Sequence, residues 1–134
     1  MAQVRRATTL AMVLAALAGA GCGPLGGKSD SDQVDDAVNK LIEARNQGDF
    51  VKVCSLIAAP QLAKFKQAGT TCERALPKLA RKGTTTSINI DQVRVSGDRA
   101  TVDATVGQNG GAGNAQTILL VKEGSDWKVS QVGF

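Results

Sequence analysis

Apolar positions recur at helical spacing in the first part of the chain. The repeating positions are Val34, Ala37, Val38, Leu41 and Ile42. Intervals of three and four place such side chains on one face of an α-helix. The polar residues 30–32 are suitable N-caps, and Gly48 is a suitable C-cap. The pattern predicts an amphipathic first helix with one buried face.

Three shorter helices are predicted to follow. Asp49 is suited to cap the second helix, and Pro60 suits the first turn of the third, where its missing N–H costs nothing. Thr70 and Glu73 have the spacing of a capping box, which predicts the start of the fourth helix. Pro77 lies inside that helix and is expected to kink or shorten it.

After Gly83 the apolar spacing changes from helical to alternating, which indicates β-strands. Four strands are predicted, at residues 84–95, 99–106, 115–122 and 127–134. Gly97 and Asp98 form a two-residue hairpin turn, and the glycine-rich residues 107–114 form a longer hairpin loop. The predicted fold class is α+β, with N-terminal helices packed on a four-stranded antiparallel sheet.

The alternation of apolar residues reverses once in the first strand and once in the last. A one-residue slip moves every following side chain to the other face of a sheet. Bulges near Asp91–Gln92 and near Ser130–Gln131 would restore a single buried face and bend the strands. We therefore expect a curved, cone-like sheet with the helices on its concave side.

Residues 1–21 have the pattern of a secretory signal peptide. Arg5 and Arg6 precede an uncharged apolar core at residues 7–18, and small residues follow. A transmembrane anchor is the alternative, but crossing a bilayer takes about 20 apolar residues and this core is shorter. The pattern predicts export, with a mature chain that begins at residue 22.

The end of this segment, Gly19–Cys22, resembles the attachment box of bacterial lipoproteins, in which small residues precede a lipid-bearing cysteine. Gly19 departs from the leucine that is common at that position. The resemblance implies a lipid on Cys22 and attachment to the extracytoplasmic face of a cell membrane. A flexible tether is predicted over residues 22–31, and a folded domain over residues 32–134.

The chain has three cysteines, an odd number for an exported protein. Lipidation of Cys22 leaves Cys54 and Cys72, which we expect to form a disulfide outside the cytoplasm. Such a bond would contribute roughly 3 kcal/mol to stability by restricting the unfolded chain. The alternative to the disulfide is two separately buried thiols. The alternative to lipidation is an ordinary secreted protein that is cut near Ala20 and carries no lipid.

Composition excludes several classes of function. Arg5 and Arg6 supply part of the formal charge of +4, and aromatic residues make up only 3% of the chain. Nucleic acid is therefore not expected as a partner, since base stacking needs aromatic side chains. The chain has no His and no Tyr, so the commonest general base and metal ligand are missing. We expect no catalytic residue, no metal and no cofactor.

Two sets of charged residues are candidates for a function. The strand carboxylates Asp91 and Asp103 are the acid–base candidates for an enzyme, and a solvated strand face is the simpler interpretation. Six basic residues lie in the middle of the chain, namely Lys64, Lys66, Arg74, Lys78, Arg81 and Lys82. The simpler interpretation is a solvated helical face. The alternative is contact with anionic lipid headgroups of a nearby membrane, to which each basic residue would contribute about 1 kcal/mol.

The order of elements and the pattern Gly124-x-x-Trp127-Lys128-Val129 resemble the nuclear-transport-factor-2-like fold. Gly48–Phe50 resembles the helical half of that fold. The chain also looks like small lipoproteins of actinobacteria, which often pair two cysteines in the helical region. The resemblance covers about residues 32–134 and implies a cone with a cavity between helices and sheet, but no single function.

These observations favour a non-enzymatic envelope lipoprotein that binds a small apolar ligand or an envelope protein. An enzyme of the same fold that uses strand carboxylates is one alternative. A structural module that forms a homodimer through the open sheet face is another, and an exposed Val or Ile patch there would support it. A carboxylate deep in a roomy cone favours the enzyme, whereas a closed apolar core favours binding or structure.

Overall fold

The structure, a computed structural model, describes residues 27–132. In this range four helices precede four strands, which confirms the predicted α+β class. The helices are α1 (Asp30–Gln47), α2 (Phe50–Ser55), α3 (Ala59–Gln67) and α4 (Cys72–Leu79). The strands are β1 (Thr86–Ser96), β2 (Arg99–Gln108), β3 (Asn114–Glu123) and β4 (Asp126–Val132). The predicted signal peptide and Cys22 lie outside the described residues.

Helix α1 begins earlier than the sequence pattern indicated. Ser29 is the N-cap, and its Oγ accepts a hydrogen bond of 3.2 Å from the Asp32 backbone N–H. The Asp32 carboxylate accepts in turn from the Ser29 backbone N–H at 3.3 Å. This reciprocal box stabilises the helix start, so residues 30–31 of the predicted tether are helical. Gly48 ends α1 at φ 72°, which confirms the predicted C-cap.

The predicted Thr70–Glu73 capping box is wrong. Helix α4 has Thr71 as its N-cap, and that side chain makes no capping hydrogen bond. The physical reason is the way in which α3 ends. The Thr70 N–H donates to the Phe65 carbonyl at 3.0 Å, so Thr70 belongs to the closing turn of α3 and is not free to cap α4.

The strands form one antiparallel sheet in the order β1-β2-β3-β4, as predicted. In β1, Ile90 pairs with Ala104 and Gln92 pairs with Asp103, so Asp91 is the extra residue of a bulge. In β4, Ser130 is skipped in the same way. Both predicted bulges are confirmed. They keep the apolar side chains on one face and bend the open sheet around that face.

Helix α1 packs along the concave inner face of the sheet. It contributes Val34, Ala37 and Val38 to a core that contains residues from β2, β3 and β4. The sheet residues of this core are Ala100, Val102, Ala104, Ile118, Leu120, Trp127 and Val129. Burial of these side chains from water is the main favourable contribution to folding.

Polar contacts fix both ends of α1 on the sheet. At its start, Asp30 accepts a hydrogen bond of 2.8 Å from Lys122 Nζ, which lies 5.6 Å from the centre of the Trp127 ring. At its end, the Asn46 side chain both donates to and accepts from the Thr86 backbone at 2.8 Å. Asn46 therefore takes the place of a neighbouring strand at the start of β1.

The segment between α2 and α3 covers part of the other sheet edge. The Ala58 N–H donates to the Val129 carbonyl at 2.9 Å, and the Val129 N–H donates to the Leu56 carbonyl at 2.8 Å. Ile57 thus forms a short parallel bridge with β4. These bonds attach the α2–α3 region directly to the sheet.

A disulfide joins Cys54 of α2 to Cys72 of α4, with an S–S distance of 2.00 Å and a Cα–Cα distance of 5.9 Å. This is the predicted pair, and both residues are buried. Cys72 is the only buried residue of α4. The bond therefore holds the start of α4 against α2, whereas the rest of the helix has little packing of its own.

Candidate functional site

A cavity of about 310 Å³ lies between the C-terminal half of α1, helices α2 and α4, and the inner face of the sheet. This volume is at the lower end of the range of small-molecule sites, about 300–1,000 Å³. Its lining is apolar except for Arg45. The apolar lining residues are Leu41, Ile42, Phe50, Val53, Ile57, Leu76, Leu79, Ala80, Val106, Ile118 and Val129.

The cavity exists because the helical layer does not close over this half of the sheet. Val34 and Val38 in the first half of α1 are fully buried, whereas Leu41 and Ile42 further along the same stripe are only half-buried. Helix α4 forms the opposite wall. Its Leu79 lines the cavity and is still 72% exposed, so this wall is also part of the protein surface.

A polar cleft of about 350 Å³ adjoins the cavity. Arg45, Phe50 and Ala80 line both spaces, so the two are neighbours across a shared wall. Arg81 and Lys82 also line the cleft, and no acidic residue does. The cavity therefore has a basic region at one side.

Arg45 is the functional candidate that the sequence analysis missed. It is half-buried in the last turn of α1. No carboxylate of the described residues lies within 4.0 Å of its guanidinium. A signal was present in the sequence, because Arg45 follows Leu41 and Ile42 at intervals of four and three and so continues the apolar stripe.

The six basic residues of the predicted membrane-surface set are all exposed. Lys64 and Lys66 lie in α3, and Arg74 and Lys78 lie in α4. Only Arg81 and Lys82, which follow α4, line the cleft beside the cavity. The structure thus places two members of this set at the candidate site.

The two strand carboxylates lie on the outer face of the sheet. Asp103 alternates with the core residues Val102 and Ala104, and its Oδ2 is 2.7 Å from Arg94 Nη2. Asp91, at the bulge, accepts a hydrogen bond of 3.1 Å from Thr105 Oγ1. Neither residue lines the cavity, so the cone contains neither of the proposed acid–base groups.

The titratable groups with clear pKa shifts lie at the start of α1, away from the cavity. A hydrogen bond from Lys122 lowers the pKa of Asp30. The contact between Lys28 and Asp36 lowers the pKa of the Asp36 carboxyl and raises the pKa of the Lys28 amine, again mainly through a hydrogen bond. These shifts are those of surface ion pairs that stabilise a helix start.

Residues 27–132 offer neither a grouped set of metal ligands nor a membrane-crossing helix. In that range no three Cys, Asp or Glu side chains are grouped so that they could hold a metal ion. No helix there has the length and apolar character that crossing a bilayer requires. The exposed large apolar residues in that range are Val51 and Leu79, and neither lies on the outer face of the sheet.

Comparison with known proteins identifies the fold. No family model matches the sequence, and no curated protein matches it. A candidate dehydratase of the NTF2-like (nuclear-transport-factor-2-like) family from Streptomyces avermitilis superposes with a TM-score of 0.58 at 19% identity, covering 78% of this chain and 94% of that one.

Two other solved structures have lower scores. A de novo designed protein with a curved β-sheet gives a TM-score of 0.48 at 14% identity, covering 74% of this chain and 95% of its own. An NTF2-like protein of unknown function from Cytophaga hutchinsonii gives a TM-score of 0.45 at 14% identity, covering 81% of this chain and 94% of that one. This chain has the nuclear-transport-factor-2-like fold, because its four helices and curved antiparallel sheet match the Streptomyces avermitilis structure.

Proposed function

We propose that this protein is a non-enzymatic binding module whose cone holds a small apolar ligand. The observation that carries the proposal is the lining of the cavity, which is apolar at every position except Arg45. A preformed apolar space with few polar groups is typical of small-molecule sites. The placement of Asp91 and Asp103 on the outer face supports binding over acid–base catalysis.

A second candidate occupant is an apolar segment of an envelope protein. Leu79 favours it, because this side chain is 72% exposed and also forms part of the cavity wall. An apolar surface that continues into a groove or cavity is typical of interaction sites. A peptide that enters the cavity would compete with a small apolar probe for the same lining residues.

We also propose that the domain works at the outer face of a cell membrane, attached through a lipid on Cys22. The support is in the sequence, where residues 1–21 have the pattern of a signal peptide and Cys22 follows small residues. Mass spectrometry of protein extracted from membranes should find a diacylglyceryl group on Cys22. A mature protein with another N-terminus and no lipid would contradict the anchor without affecting the cavity.

Binding can be tested with N-phenyl-naphthylamine, a neutral dye that fluoresces strongly in apolar surroundings. We expect saturable fluorescence with the wild-type protein and its loss in Ala80→Phe, because a phenyl ring at this half-buried position would occupy the cavity. Ala115→Phe is the control, since Ala115 is exposed at the start of β3. Equal dye binding by all three proteins would contradict the proposal.

A further inference from the structure

We propose that the cavity and the cleft together hold one single-chain amphiphile with an anionic head. Its apolar chain lies in the cavity, and its carboxylate or phosphate lies in the cleft. The inference rests on the proposed binding function and goes beyond it by naming the class of ligand. Arg45, Phe50 and Ala80 connect the two spaces, because all three line both.

The cavity is suited to a hydrocarbon chain. Arg45 is its only charged lining residue, and the other lining residues have no polar side-chain group. Each methylene that leaves water for such surroundings favours binding. The volume of about 310 Å³ favours a short or medium chain. A ligand with polar groups along its length would leave those groups without partners there.

The cleft is suited to an anion. Three cations line it, from Arg45, Arg81 and Lys82, and it has no acidic lining residue. The carbonyl ends of α1 and α4 also border this space and carry partial negative charges of about half a unit each. Together they offset about one of the three positive charges. The remaining positive charge is available to a bound anion.

Arg45 lies where the head of the ligand would meet its chain. Its guanidinium has no described carboxylate within 4.0 Å, and none of the described side-chain hydrogen bonds at the site involves it. A planar guanidinium can bind a carboxylate or a phosphate through two parallel hydrogen bonds. The same charge disfavours a cationic amphiphile.

The test is titration calorimetry on the full mature protein with four probes of equal chain length. These are decanoate, decyl phosphate, decanol and decyltrimethylammonium, all below their micelle concentrations. We expect both anions to bind at least about tenfold more tightly than decanol, and the cation to bind most weakly. Added salt should reduce the advantage of the anions and leave decanol unchanged. Comparison of decanoate with decyl phosphate shows which head is preferred, and a preference for either supports the inference.

Arg45→Met removes the charge and keeps an apolar stem of similar length. It should weaken decanoate binding by about tenfold or more, as expected for loss of a charge-assisted hydrogen bond, and should affect decanol binding much less. Arg99→Met is the matched control, because Arg99 is exposed at the first position of β2 and lines neither space. It should change nothing.

The outcomes separate the two proposals. If decanol binds as tightly as decanoate, or if Arg45→Met weakens the binding of both equally, the proposal of an anionic head is wrong. The proposal that the cavity binds an apolar ligand is then unaffected. If no probe binds and the neutral dye does not bind either, the binding function itself is overturned. Loss of decanoate binding in Arg99→Met would assign the effect to overall charge and would also overturn the inference.

Discussion

The two halves of the space between α1 and the sheet have the same apolar pattern but different packing. Around Val34 and Val38 the space is closed, since both side chains are fully buried and belong to one core with Leu120 and Trp127. Around Leu41 the same stripe of α1 borders a cavity of about 310 Å³. The difference lies in what covers the sheet, since α1 packs directly into the core in the first half, whereas α4 forms the far wall of the open space in the second.

This difference indicates a division of roles within one small domain. The closed half gains stability from close packing, which protein interiors usually achieve. The open half gives up part of that packing, and its wall is held by the Cys54–Cys72 bond. A covalent link can keep a helix in place where few side chains are buried, so the cavity does not depend on α4 having a core of its own.

The largest expected effect tests this division directly. Leu120→Ala, in the closed half, should lower the free energy of unfolding by about 3–5 kcal/mol, because it leaves a cavity in packed surroundings. Leu76→Ala, at the cavity wall, should cost about 1 kcal/mol, since Leu76 is only half-buried and borders a space that is already open. Urea unfolding measures both, and equal losses would contradict the comparison.

The second effect concerns the disulfide that attaches the cavity wall, α4, to α2. Replacing Cys54 and Cys72 together by Ala should lower the free energy of unfolding by about 3 kcal/mol, because the unfolded chain gains freedom when a loop of this size is opened. Dye binding should also weaken, since α4 loses its attachment to α2. Reduction of the disulfide in the wild-type protein is the control and should reproduce the loss of stability and of dye binding. A double variant with full stability and full dye binding would show that packing alone holds α4.

Much of the architecture could be predicted because it depends on local patterns. The stripe in α1 has a helical period, and the reversals of alternation in β1 and β4 required the bulges that the structure has at Asp91 and Ser130. The start of α4 was mispredicted because the spacing of Thr70 and Glu73 does not show that Thr70 is already used by the end of α3. A capping pattern in the sequence therefore fails to predict a helix start where its capping residue already belongs to the preceding helix.

The cavity could not be predicted from periodicity. Val34 and Leu41 occupy equivalent positions of one stripe, and only the tertiary arrangement closes one and leaves the other half-buried. Arg45 was missed for the same reason, because a cation at the end of a helix is also expected from the helix dipole. Its position between the cavity and the cleft depends on where α4 ends, at Leu79 with Ala80 as its C-cap.

The smallest expected effect concerns the ion pair that fixes the start of α1 in the closed half. The hydrogen bond from Lys122 lowers the pKa of Asp30 in the folded protein. A lowered carboxyl pKa contributes stability above the unfolded value, about pH 4, and this contribution is lost as pH falls through the folded value. Lys122→Met should therefore destabilise the protein slightly at neutral pH and not at low pH.

The measurement is the unfolding free energy of wild type and Lys122→Met between about pH 7 and about pH 2. The effect should be small, because Asp30 and Lys122 are 44% and 30% exposed and solvent screens such a pair. Lys66→Met, in exposed α3, is the control and should give no pH-dependent difference. A difference for Lys122→Met that stays constant down to pH 2 would mean that the Lys122 ammonium near the Trp127 ring, and not its pairing with Asp30, stabilises this end of the domain.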